Sequence, residues 1–68
     1  VFVAHKNYPF GTILEIMNLK NGKRIIAIVK DRGAYIHGRE IDLSFAAAKA
    51  LAVFDDGVIP VLFKPIIQ

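Results

Sequence analysis

The 68-residue sequence contains no cysteine and no tryptophan, and Ser44 is its only serine. The absence of cysteine excludes disulfide bonds, zinc sites built on thiolates, and cysteine nucleophiles. Long hydrophobic runs are also missing: residues 25–29 form an uncharged apolar run of five, whereas a helix needs about 20 to cross a bilayer. No membrane-spanning segment is therefore predicted, and the fold has to be held by its hydrophobic core.

Apolar residues make up 54% of the chain, which is high for so short a sequence and excludes a disordered tail. The length allows one small domain, which we place over residues 1–68. The net charge is +3, but the basic residues are scattered along the chain. Since there is no basic block and no basic helix face, a nucleic-acid partner is not predicted.

Strand-forming residues dominate the first half of the sequence. The pattern predicts strands over residues 1–4, 12–18 and 23–30, with a loop over residues 6–11. Asn21-Gly22 between the second and third strands predicts a β-hairpin closed by a type I′ turn, in which both residues have positive φ. The third strand has apolar residues on both faces, so both faces are expected to be covered.

The second half of the sequence predicts a short helix between two strands. A short strand is predicted over residues 40–43, and Ser44 is a suitable N-cap for a helix over residues 45–52, which gives it a structural role. A turn follows at residues 55–57, and a last strand is predicted over residues 58–67. Pro60 and Pro65 confine that strand to an edge of the sheet. The pattern therefore favours a small β-barrel or an α+β layer.

Asp31 is the strongest candidate for chemistry, because it follows the apolar third strand and precedes Arg32-Gly33. A carboxylate at the end of a buried strand is partly desolvated and suited to general acid/base catalysis. The same carboxylate can instead accept backbone N–H bonds in the turn, or pair with Arg32 or Arg39. The local pattern leaves both interpretations open.

Three other residues in or beside loops are candidates of lower specificity. His5 stands between an apolar segment and a loop, where histidines commonly have a structural hydrogen-bonding role. Asp42 is expected to order the helix entrance or interact with the helix N-terminus. Tyr35 lies in the loop after Asp31, where an aromatic ring either stacks on a sugar or covers the core. The histidines and carboxylates lack metal-ligand spacing, so no metal or cofactor is predicted.

Six groups of residues occur in the order and with the spacing of a known family. They are Ala4-His5; Tyr8-Pro9-Phe10-Gly11-Thr12; Asn18 with Asn21-Gly22; Asp31-Arg32-Gly33; Gly38-Arg39; and Ile41-Asp42-Leu43-Ser44 followed by Ala46-Ala47-Ala48. On these motifs the sequence resembles the rare lipoprotein A (RlpA) family of the bacterial cell envelope. The resemblance covers essentially the whole chain.

The resemblance implies a mainly β fold, a small six-stranded double-psi β-barrel with one short helix, and the activity of a lytic transglycosylase. Such enzymes cleave the β-1,4 bond between N-acetylmuramic acid and N-acetylglucosamine in peptidoglycan and leave a 1,6-anhydro end. Asp31 matches the family's catalytic aspartate, and His5 matches its active-site histidine. The resemblance also implies glycan contacts at Arg32, Tyr35 and Arg39. It implies a structural role beside the site for Asp42 and Ser44.

The resemblance carries further expectations. The family's first strand would precede Val1, so the barrel is expected to have an open edge, with either homodimerisation through that edge or loss of activity in this form. The protein is expected in the periplasm or outside the cell, with any lipid anchor outside this sequence. A non-catalytic, expansin-like module that binds wall polysaccharide is the alternative. If the enzyme interpretation holds, His5 and Asp31 should line one groove within about 10 Å of each other.

Overall fold

The computed structural model describes residues 1–36, 38–53 and 59–66. Five strands and one helix follow one another in these residues: β1 (Phe2–His5), β2 (Ile13–Asn18), β3 (Arg24–Asp31), β4 (Ile41–Leu43), α1 (Phe45–Ala50) and β5 (Val61–Pro65). The strands form one curled sheet in the order β4-β1-β3-β2-β5. The prediction of a mainly β fold with one short helix is confirmed.

The first strand lies inside the sheet rather than at its edge. β1 pairs in parallel with β3, with Val3 opposite Val29, and antiparallel with β4, with Ala4 opposite Asp42. β2 pairs antiparallel with both β3 and β5. The ends of β1, β3 and β4 are thereby brought side by side, although they are far apart in sequence.

The core lies on one face of the sheet, where α1 packs. Leu14 and Ile16 of β2 are fully buried, as is Val29 of β3, and Leu51 after the helix packs against them. Burying side chains of this size stabilises the fold by about 1.5–3 kcal/mol each. The expectation that both faces of β3 are covered is wrong, because Ile26 on its other face is 53% exposed.

The hairpin between β2 and β3 is confirmed, but the predicted turn type is wrong. The closing pair is Asn18 with Lys23, joined by an N–H···O bond of 2.8 Å, so four residues form the loop. Only Gly22 has a positive φ, +77°, whereas a type I′ turn also needs a positive φ at Asn21. The Asn18 side chain accepts a hydrogen bond from Lys20 N–H at 2.8 Å, which stabilises the wider loop.

Side chains hold both ends of the helix region. The Ser44 hydroxyl accepts a hydrogen bond from Ala47 N–H at 3.1 Å, which confirms the predicted N-cap. At the other end, the Leu51 carbonyl accepts from the side-chain amides of Asn18 (2.9 Å) and Asn21 (3.1 Å). The hairpin loop is therefore tied to the end of the helix.

The strands β4 and β5 are the two edges of the sheet. The edge position of the last strand is confirmed, and Pro65 ends it. The turn predicted at residues 55–57 lies outside the described residues. Within the described part of the chain, no helix is long and apolar enough to span a membrane. Homodimerisation through an open edge stays a prediction, which gel filtration of this chain would test.

Candidate active site

An open cleft of about 280 Å³ lies over the ends of β4, β1 and β3. Its lining contains two acidic residues, two basic residues, the helix cap and part of strand β1. The lining residues are Phe2, Val3, Ala4, Lys30, Asp31, Arg32, Asp42, Leu43 and Ser44. Sequence analysis singled out four of these as site residues, namely Asp31, Arg32, Asp42 and Ser44.

Strand pairing places the two cleft carboxylates on either side of Ala4. Asp42 of β4 is opposite Ala4, and Asp31 of β3 is opposite Ala4 on the other side. Neighbouring strands are separated by about 4.8 Å, so the Cα atoms of Asp31 and Asp42 lie roughly 10 Å apart. Ala4, which has only a methyl side chain, lines the cleft together with both carboxylates.

An irregularity in the pairing of β1 with β3 puts Asp31 on the cleft side. Val3 is opposite Val29, but the next residue, Ala4, is opposite Asp31, so Lys30 is an extra residue on β3. Side chains alternate between the faces of a strand, and regular pairing would have turned Asp31 toward the core side with Val29. The bulge redirects the carboxylate, as bulges beside functional sites commonly do.

Asp31 is exposed, so the expectation of a partly desolvated carboxylate is wrong. The physical reason is the bulge, which turns the side chain into the open cleft instead of the core. Its Oδ1 atom accepts a hydrogen bond from Arg32 N–H at 2.8 Å. That bond is one of the structural alternatives left open by the sequence, and it orients the carboxylate without closing access to it.

Asp42 is half-buried and lies beside Arg39 and Gly33. The Arg39 guanidinium lies 3.7 Å from its Oδ1 atom, at ion-pair distance. On the other side is Gly33, where a Cβ atom would lie only 3.2 Å from Asp42 Oδ2. The absence of a side chain at position 33 therefore leaves room for the carboxylate in its observed place.

His5 and Tyr35 do not line the cleft. The His5 ring is 9% exposed and stacks on Tyr8, with 4.3 Å between ring centroids, and it meets the edge of Phe63 at 5.6 Å. Tyr35 is 74% exposed in the loop after β3. Arg39 touches the site through Asp42. The geometry thus brings Asp31 together with Asp42 rather than with His5.

Sequence analysis missed Phe2 and Lys30 as cleft residues. Phe2 is 48% exposed, and the Lys30 ammonium lies 4.7 Å from the centre of its ring, a cation–π contact. Phe2 and Ala4 share a face of β1 because side chains alternate along a strand. This alternation was the sequence signal that could have identified Phe2 as a cleft residue. It also assigns His5 to the buried face with Val3.

The described residues define a small β domain with an open cleft at the ends of three strands, lined by two acidic and two basic side chains. In comparisons with known proteins, the family model of the lytic transglycolases matches residues 1–63. The chain belongs to this family, which has the double-psi β-barrel fold.

Curated relatives carry the same assignment in their names. One from Aquifex aeolicus, named a probable endolytic peptidoglycan transglycosylase RlpA, is 58% identical over 59 residues, covering 87% of this chain and 26% of the relative. A relative of the same name from Treponema pallidum is 53% identical, covering 81% of this chain and 17% of its own length. The endolytic peptidoglycan transglycosylase RlpA of Pseudomonas aeruginosa is 48% identical, covering 79% and 16%. The chain thus spans about a quarter or less of these relatives.

Proposed function

We propose that this chain is the catalytic domain of an endolytic peptidoglycan lytic transglycosylase. The observation that carries the proposal is the pair of carboxylates, Asp31 and Asp42, on either side of Ala4 in an open cleft. The names of the relatives supply the substrate class, since they describe endolytic transglycosylases of peptidoglycan. The place of action is then the bacterial cell envelope, in the periplasm or outside the cell.

In the proposed reaction, Asp31 acts as acid and then as base on the β-1,4 bond between N-acetylmuramic acid and N-acetylglucosamine. Its carboxylic acid donates a proton to the bridging oxygen, and the bond from the anomeric carbon to that oxygen breaks. The 6-hydroxyl oxygen of the muramic acid forms a new bond to the anomeric carbon. The hydroxyl proton passes to the Asp31 carboxylate, so the catalyst is regenerated and no water is consumed.

Asp42 has a different role in this proposal. Positive charge develops on the sugar ring when the glycosidic bond breaks. A carboxylate on the far side of Ala4 stabilises that charge, provided that its position is fixed before the reaction. The ion pair with Arg39 holds Asp42 in place, and the absence of a side chain at Gly33 leaves room for its carboxylate there. Ser44 contributes indirectly by capping the helix that follows β4.

The glycan-contact role is assigned to residues with free surface in or beside the cleft. Arg32 lines the cleft next to Asp31 and supplies N–H donors for sugar oxygens. Phe2 offers a half-exposed ring on which a sugar face can stack. Tyr35 is exposed outside the described cleft, and its proposed contact is with a more distant sugar of the strand.

The test is a digest of purified peptidoglycan with this chain, followed by mass spectrometry of the soluble products. The expected products end in 1,6-anhydro-muramic acid. Asp31→Asn removes the proton donor while keeping the side-chain shape, so product formation should fall by about 100-fold or more. Asp42→Asn should lower it by about tenfold, because it removes charge without removing the acid.

Glu15→Gln is the matched control, because it makes the same carboxylate-to-amide change on β2, outside the cleft lining. This variant should form product at the unaltered rate. Binding to insoluble peptidoglycan without anhydro products, and unchanged in Asp31→Asn, would contradict the proposal. That outcome would favour the non-catalytic wall-binding module instead.

A further inference from the structure

The His5 imidazole is a hydrogen-bond acceptor inside the protein. Its Nδ1 atom accepts from Asn7 N–H at 3.0 Å and from Tyr8 N–H at 3.1 Å. A ring nitrogen that accepts hydrogen bonds carries no proton, so the neutral ring has its proton on Nε2. The nitrogen that His5 would need for a relay through Nδ1 is therefore already engaged with the backbone.

These two bonds shape the loop that follows β1. An Asp or Asn side chain commonly accepts a bond from the N–H two residues later and so forms a side-chain-closed turn. In His5 the Nδ1 atom stands at the same number of bonds from the backbone as the side-chain oxygen of Asn. The imidazole therefore closes the turn over residues 5–8 while its ring packs against Tyr8 and Phe63.

The closed turn presents two carbonyl groups to one arginine. Arg32 Nη1 donates to the carbonyl of His5 at 3.1 Å and to that of Tyr8 at 2.8 Å. The guanidinium also lies 4.2 Å from the ring centre of Phe10, in the same loop. The loop that His5 organises thus fixes the direction of the Arg32 side chain.

Arg32 connects this loop to the cleft. It lines the cleft, and its backbone N–H bonds to Asp31. Apart from the Nη1 bonds, its guanidinium donates to no acceptor in residues 1–36, 38–53 and 59–66. An arginine has five N–H donors in a rigid plane, so anchoring one end leaves the others in a defined direction.

We propose that His5 is a positioning residue: its Nδ1 atom closes the turn that holds Arg32 at the cleft, and the remaining Arg32 N–H groups bind oxygen atoms of the glycan beside the reacting bond. The inference deepens the proposed function and rests on it for the identity of the ligand. It assigns no proton transfer to His5. The position of Arg32 depends on the acceptor at position 5.

Two variants separate the acceptor from the ring. His5→Asn keeps an acceptor at the position of Nδ1 and removes the ring, whereas His5→Phe keeps the packing against Tyr8 and Phe63 and removes the acceptor. In the peptidoglycan digest, His5→Phe should lower the rate by about tenfold, and His5→Asn should restore it to within about threefold of the unaltered chain. Lys6→Ala, an exposed change in the same loop, is the control.

Nitrogen NMR of this chain supplies readouts that do not depend on activity. The His5 ring should show the tautomer with the proton on Nε2, and the Arg32 guanidinium signals should shift in His5→Phe but not in His5→Asn. A proton on Nδ1, or unchanged Arg32 signals in His5→Phe, would overturn the inference. So would loss of activity in both variants while Arg32 keeps its signals, because His5 would then act on the substrate directly. If the chain releases no anhydro products, the proposed function fails, and the NMR readouts alone decide the positioning role.

Discussion

The connection between the hairpin loop and the helix gives a quantitative prediction about stability. Asn18 is 2% exposed and makes two side-chain hydrogen bonds, to the Leu51 carbonyl at 2.9 Å and from Lys20 N–H at 2.8 Å. A typical hydrogen bond contributes about 1 kcal/mol, so Asn18→Ala should lower the free energy of unfolding by about 2 kcal/mol. For a domain of this size that corresponds to a fall in Tm of roughly 10 °C.

The second amide on the same carbonyl makes the prediction sharper. Asn21 donates to Leu51 O at 3.1 Å from a partly exposed position, so Asn21→Ala alone should cost about 1 kcal/mol. Each single variant leaves the Leu51 carbonyl with one side-chain donor. The double variant leaves the carbonyl with no side-chain donor. A buried carbonyl without a hydrogen-bond partner costs about a further 1–3 kcal/mol.

The measurement is urea unfolding of the four proteins of this double-mutant cycle, followed by circular dichroism. The double variant should lose about 1 kcal/mol more than the sum of the single variants, which is the signature of a shared partner. Strict additivity of the Asn18 and Asn21 effects would refute the reasoning. It would mean that the two amides do not compete to satisfy one carbonyl.

Two further predictions concern residues beside the cleft. Gly33→Ala places a Cβ atom 3.2 Å from Asp42 Oδ2, so it should displace the carboxylate and lower anhydro-product formation by about tenfold. Gly22→Ala is its control: this position also has a positive φ but no atom within 4 Å, so stability should fall while activity per folded molecule stays unchanged. Ser44→Ala removes the acceptor of Ala47 N–H and should cost about 1 kcal/mol in urea unfolding, whereas Ser44→Asp should retain most of the stability.

Local sequence rules predicted most of the elements. Strand-forming composition located the hairpin strands, Ser44 marked the helix start, and the prolines identified the edge strand. The turn type escaped these rules because Asn18, the residue before the loop, closes the turn with its own side chain. A rule based only on the dipeptide Asn21-Gly22 does not take the hydrogen bond from Lys20 N–H to the Asn18 side chain into account.

The candidate site was less predictable, because it depends on pairing between distant strands. Asp31 was selected from its motif, but its exposure follows from a bulge opposite Ala4, and no local pattern indicates a bulge there. The partnership of Asp31 with Asp42 requires β1 to lie between β3 and β4. The alternation along β1 was readable from the sequence, and it would have assigned His5 to the buried face.

The interior position of β1 also bears on how the protein folds. This strand of four residues has hydrogen-bonded neighbours that begin at residues 24 and 41, so neither partner is local. Contacts between distant residues require closure of long loops, which slows folding to the millisecond-to-second range typical of β-rich domains. The β2–β3 hairpin can form early by itself, whereas the floor of the cleft is assembled only when β1 inserts between β3 and β4. The candidate active-site cleft is therefore expected to be among the last parts of the protein to take shape.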